Sequence, residues 1–127
     1  MRTYVKLGDG KDLLQYKKDG TMEEVLRTVM EALLKAEQKG FLGYAERDRK
    51  NKVKGNKRNG YRKSGLLKGI SNYFRINIPR DRLGLFKPMF LEIIREENNK
   101  MNNLIFQLYV KGLTTKDISE IIHQIIW

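Results

Sequence analysis

The chain of 127 residues contains no cysteine, which excludes disulfide staples and any thiolate zinc site, a zinc finger included. A single histidine, His123, leaves no histidine pair for a metal or a proton relay. No stretch approaches the roughly 18 apolar residues of a membrane span, and Arg2, Lys6, Asp9 and Lys11 interrupt every apolar run near Met1. A cytoplasmic protein with no membrane partner is therefore expected. No glycine-rich phosphate loop and no serine nucleophile elbow is present either. Acidic residues are sparse through the middle of the chain, and that scarcity leads to its most informative feature.

Between Arg47 and Lys87 stand fourteen Lys and Arg residues against Asp48 and Asp81 alone, whereas the segments on either side are close to neutral. Nearly all of the net charge of +11 is thus gathered in the middle third. A cationic surface of that density concentrates a phosphate polymer and releases its counterions, the sequence-independent part of nucleic-acid affinity. A solvated lysine run accounts equally well for Lys50–Lys57 taken alone. The rest is interleaved: Tyr61, Tyr73 and Phe74 lie among Arg58, Arg62 and Arg75, and Asn56, Asn59 and Asn72 carry amides that can bond phosphates or base edges.

Periodicity predicts a mostly α fold with a small β-hairpin, an α+β domain. Residues 1–20 read as a weakly patterned arm. Thr21 with Glu24 has the form of a capping box, and Val25, Leu26, Val29, Met30, Leu33 and Leu34 then recur at helical spacing, predicting a helix over 22–39 ended by Gly40. Residues 40–87 read as a basic loop and hairpin. Tyr73 to Pro79 alternates as a half-buried strand, Tyr61–Lys68 is its expected partner, Gly69–Asn72 the turn, and Pro79 the end or edge of the strand. A helix over 88–111 follows, with Asn98-Asn99 and Asn102-Asn103 as points where it can kink or split. Gly112 interrupts the pattern, and Thr114 with Asp117 caps a last helix over 115–126. Helix, glycine turn and capped helix open a helix-turn-helix unit, left incomplete here because a further helix would have to lie past Trp127.

Glu37, Gly40-Phe41-Leu42-Gly43, Tyr44, Glu46-Arg47, Arg58-Asn59-Gly60-Tyr61-Arg62, Pro79-Arg80-Asp81-Arg82, Gly84, Phe86, Pro88 and the run from Tyr109 to Ile118 occur in an order and spacing that resembles the N-terminal region of the mutator family of bacterial insertion-sequence transposases. Lys116 and Thr114 replace the arginine and serine common there and keep charge and hydroxyl. The resemblance implies an N-terminal portion that grips the terminal inverted repeats of an insertion sequence during DNA transposition. It also implies, for the family, a recombinase whose three carboxylates hold two divalent metal ions. Those carboxylates belong to a later domain, so none is carried over, no cofactor is expected in this chain, and the chain is not expected to cut DNA alone.

The candidate DNA-binding residues are Lys57, Arg58, Asn59, Tyr61, Arg62, Arg80, Arg82, Thr114, Thr115 and Lys116. Arginines would meet phosphates or enter a groove, Asn59 would bond a phosphate or base edge, and Tyr61 would pack on sugar. Structural accounts compete with these. Asn59-Gly60 is also the sequence of a tight turn, Arg80-Asp81-Arg82 that of an ion-pair network, and the threonines that of a helix cap, although a helix N-terminus also attracts phosphate. Asp48, Asp81 and Asp117 have such ordinary explanations rather than a metal, and His123 sits among isoleucines. The expected partner is double-stranded DNA. Two alternatives stand beside it: a basic RNA-binding protein of ribosomal character, and a self-associating inhibitor that pairs with itself or with a full-length transposase.

Overall fold

The computed structural model describes residues 21–43 and 56–126. Its elements run α1 (Thr21–Leu42), β1 (Arg58–Lys63), β2 (Leu67–Lys68), β3 (Tyr73–Phe74), β4 (Asn77–Asp81), α2 (Met89–Glu96), α3 (Asn98–Val110) and α4 (Thr115–Ile126). The α+β class expected from periodicity is the class observed. The arm over 1–20, the loop segment 44–55 and the side chain of Thr21, on which the capping box depends, lie outside the described residues.

One apolar cluster joins every helix. Leu26, Val29, Met30, Leu33 and Leu34 of α1 pack with Phe90 and Ile94 of α2, Ile105 of α3, Ile118 and Ile122 of α4, and Phe74, Ile76 and Ile78 of the hairpin. Each of these side chains contributes about 1.5–3 kcal/mol by leaving water. The isoleucines of α4 divide accordingly, with Ile118 and Ile122 fully buried and Ile125 67% exposed.

Two boundaries differ from the sequence expectation, and the break it allowed at Asn98-Asn99 is realised. Gly40 does not end α1, which continues to Leu42 and closes at Gly43 (φ 80°). No neighbour crowds Gly40, so its helical conformation is carried by the flanking turns and by burial of Leu42. The helix expected over 88–111 is two helices broken at Glu97 (φ −122°, ψ 36°). The break coincides with Asn98, whose side chain accepts from Lys68 N (2.9 Å) and donates to Lys68 O (3.1 Å), while Asn102 donates to the same carbonyl. The asparagines are spent on docking β2. Pro88 precedes α2 as its N-cap, with no side-chain cap of its own.

The hairpin turns over 69–72 as expected, but its strands are interrupted. Leu67–Lys68 pairs with Tyr73–Phe74, and Arg58–Lys63 pairs with Asn77–Asp81, both antiparallel. Between the two ladders Ser64 exchanges with Ile76, its N–H donating to Ile76 O (2.9 Å) and its hydroxyl accepting from Ile76 N (3.0 Å).

The long polar face of α1 lies along the free edge of this hairpin. Glu23 accepts from the amides of Ile70 (2.8 Å) and Ser71 (2.9 Å) at the turn. Four residues on, Arg27 donates to Arg75 O (3.1 Å), and four beyond that Glu31 accepts from Asn77 N (2.7 Å). Gln38 donates to Arg80 O (2.9 Å) at the base. A spacing of four keeps these side chains on one stripe of the helix, and the stripe satisfies strand groups that would otherwise be an open edge. Pro79, two residues after Asn77, turns its missing N–H toward that same edge, so no ladder bond is lost.

Candidate nucleic-acid interface

Between Asn56 and Lys87 the described residues hold nine Lys and Arg against Asp81. Eight of the nine are exposed and Arg58 is half-buried. Strand β1 is open along almost its whole length, whereas Ile78, Pro79 and Asp81 of β4 are buried. The hairpin is thus anchored through β4 and presents β1.

Register explains which side chains share a face. Tyr61 lies opposite Pro79 and Arg62 opposite Ile78, but Arg58 lies opposite Asp81, so β1 carries one extra residue at Asn59-Gly60. This is a β-bulge and not the tight turn that the dipeptide also suggests. Gly60 adopts φ 67°, a left-handed conformation that disfavours any side chain. The bulge brings the Asn59 carbonyl to Arg80, whose Nε donates to it at 3.2 Å. Arg80 therefore lies across β1 and joins its cations from the neighbouring strand.

Asp81 is no partner of these arginines. The competing account of Arg80, Asp81 and Arg82 as an ion-pair network does not hold: Asp81 is 5% exposed and turns inward. Its Oδ2 accepts from Asn56 Nδ2 (2.9 Å) and Leu85 N (2.9 Å), and its Oδ1 from Phe86 N (3.0 Å). Burial acts to raise its pKa, but the hydrogen bonds from Asn56 and the backbone of Phe86, Leu85 and Asp81 together hold it below the ordinary aspartate value. Asn56, expected among the groups free for phosphate, is buried here, its Oδ1 accepting from Lys57 N (2.9 Å) and Leu83 N (3.3 Å). Phe74 is likewise a core residue, not an interleaved surface aromatic, while Tyr73 is exposed. The ion pair Arg27–Glu24 lies within α1, and Lys100–Glu97 ties the first turn of α3 to the break before it. None links Arg62, Arg80 or Arg82 to an acid among the described residues.

The candidates thus fall into two groups. Lys57, Arg58, Asn59, Tyr61, Arg62, Arg80 and Arg82 are gathered on and beside β1. Thr114, Thr115 and Lys116 sit at the start of α4, which packs on α1 and α3. Thr114 caps that helix, its Oγ1 accepting from Asp117 N (3.1 Å). The turn before it is closed by Gly112 N donating to Tyr109 O (3.0 Å).

Sequence reasoning overlooked two lysines of α1. Lys35 places its Nζ 5.6 Å from the centre of the Tyr61 ring, within cation–π range, and Lys39 follows one turn later. With Gln38, Arg58 and Tyr61 they line a hollow of about 170 Å³ between α1 and β1. Their spacing of four residues on a helix bounded by a glycine was visible, but only the packing reveals that they face β1.

Other motif residues hold the frame. Glu37 accepts from the amides of Met89 and Phe90 (3.0 Å for Phe90), capping α2 from a neighbouring helix. The Phe41 and Phe86 rings meet at 5.3 Å. Among the described residues no three of His, Cys, Asp and Glu gather into a metal-binding group. Asp81 is committed to amides and Asn56, and Asp48 lies outside the described residues. Among the described residues, too, no helix is long and apolar enough to cross a membrane.

Comparison with known proteins agrees with the motifs. The model of the mutator-family transposases matches residues 4–126. The transposase of insertion sequence element IS905 from Lactococcus lactis is 37% identical over 99 residues, covering 78% of this chain and 25% of that protein. The transposase of IS1201 from Lactobacillus helveticus is 34% identical over 113 residues, covering 87% of this chain and 30% of its own length. The chain therefore spans between a quarter and a third of these relatives. A match that runs through the bulge, the Asp81 turn and the Glu37 cap leaves one conclusion: this chain belongs to the mutator family of transposases.

Proposed function

We propose that this chain grips duplex DNA through the β1–β4 hairpin, as the portion of an insertion-sequence transposase that recognises the element's ends. The observation that carries the reading is a strand exposed on both faces, bearing Arg58, Arg62 and Lys63 with Arg80 laid across it, while the acid of the segment, Asp81, is turned inward. A two-stranded ribbon fits the roughly 12 Å major groove of B-DNA. The polar stripe of α1 holds the ribbon before any partner arrives, which limits the ordering entropy that binding must overcome. Thr114, Thr115 and Lys116 form a secondary candidate for a phosphate, at the end of a different helix.

Titration of a mixed-sequence duplex across a salt series tests the reading. With about five phosphates neutralised, log affinity falls against log salt with a slope of roughly −4 to −5. Arg62→Ala and Arg82→Ala each reduce that slope by about one unit per lost phosphate contact. A duplex affinity indifferent to salt would refute the proposal, and a strong preference for A-form RNA at equal salt would replace it with the RNA-binding alternative.

A further inference from the structure

The hollow between α1 and β1 gathers three cationic side chains from two elements. Lys35 and Lys39 come from the helix and Arg58 from the strand, with Gln38 and the Tyr61 ring completing the wall and no acid in the lining. Lys35 and Lys39 stand exposed one helical turn apart, where like charges repel and a bound anion relieves the repulsion. The volume of about 170 Å³ is smaller than the roughly 300–1,000 Å³ of pockets that enclose organic ligands. It suits one small anionic group and not a nucleoside. Two exposed ammonium groups at the rim suit the oxygens of a phosphodiester, and the half-exposed Tyr61 ring beside them offers a face to the adjoining sugar.

We propose that this hollow seats one backbone phosphate of the bound duplex, making Lys35 and Lys39 of α1 DNA-contacting residues. The inference rests on the DNA-binding reading above and extends the contact surface from the hairpin onto the helix that carries it. Lys35 also reaches across to Tyr61 (5.6 Å to the ring centre), so the lysine is held at the rim before the phosphate arrives. The strand cations and the helix cations then grip the backbone from two sides.

The test uses the full chain with a mixed-sequence duplex in a salt titration, comparing wild type, Lys35→Gln with Lys39→Gln, and a charge-matched control, Lys100→Gln with Lys111→Gln. Loss of one phosphate contact lowers the steepness of the salt dependence by about 0.9 and weakens binding about eight-fold at 0.1 M salt, with the curves converging near 1 M. The control retains the wild-type slope, and Lys35→Arg with Lys39→Arg restores it. Lysine footprinting of wild-type protein gives a readout free of folding defects: bound duplex shields Lys35 and Lys39 from reductive methylation and leaves Lys100 reactive. Salt-sensitive wild-type binding with both lysines fully reactive, or a control slope reduced as much as that of the test variant, overturns the phosphate seat alone. Absence of duplex binding by wild type overturns the DNA reading and the seat together.

Discussion

Arg80 reaches across the hairpin to Asn59, its Nε 3.2 Å from the carbonyl that the bulge at Gly60 exposes. A Cβ at Gly60 would stand 3.6 Å from the same guanidinium, so space permits alanine but the positive φ of 67° does not favour it. Gly60→Ala is expected to destabilise the chain by about 1–2 kcal/mol, the cost of a left-handed backbone with a side chain. It should also flatten the bulge and release Arg80, weakening duplex binding beyond what the stability loss explains. Urea unfolding of the variant beside wild type checks the loss of stability. Coincident transitions would mean that the bulge is not specified by this glycine.

Glu37 caps a helix to which it does not belong. Its carboxylate satisfies two free amides at the start of α2 and complements the positive end of that helix dipole. Replacement by alanine is expected to lower stability by about 2 kcal/mol, in the range of hydrogen bonds to charged groups. Glu37→Gln should retain some of that, because an amide oxygen still accepts. Denaturant midpoints ordered otherwise, with glutamine no better than alanine, would assign the contribution to something other than the cap.

The Asp81 turn makes stability depend on pH in a stated direction. Hydrogen bonds hold its carboxylate below the ordinary value of 3.8 despite burial. A depressed carboxylate pKa means that the unfolded chain binds the proton more readily, so the contribution is complete above the unfolded value and disappears as pH falls through the folded one. Between pH 7 and 5 this group should leave the unfolding midpoint unchanged, and below about 4 its contribution should decline. Asp81→Asn is expected to be less stable at neutral pH and to lose some of the acid-side slope. An identical slope in the variant would show that other carboxylates produce it.

Gly40 offers the opposite outcome to Gly60. It sits inside α1, exposed, with nothing near the position of an added Cβ. Alanine there should raise stability by roughly 0.5–1 kcal/mol through reduced freedom of the unfolded chain. A higher melting temperature with unchanged duplex affinity is the expected reading. Destabilisation would indicate that the last turn of α1 needs the glycine.

The order of elements, the turn at Gly69–Asn72, the Thr114 cap and the family itself were all decided by the amino-acid sequence, because periodicity, capping chemistry and motif spacing act over a few neighbouring residues. The dense cationic run was equally plain. What the run does with its polar residues was not, because hydrogen-bond partners lie 25 residues apart for Asn56 and Asp81 and 47 apart for Glu23 and Ile70. Only the fold decided that Asp81 and Asn56 turn inward to build a loop, that Asn59-Gly60 forms a bulge instead of a turn, and that Asn98 and Asn102 bind Lys68 where α2 gives way to α3. The same holds for Lys35 and Lys39, whose place beside β1 follows from the stripe by which α1 adheres to the hairpin edge. Local sequence sets which conformations a segment can adopt, and long-range pairing of buried polar groups selects among them, since an unsatisfied buried amide or carboxylate costs more than a local preference contributes.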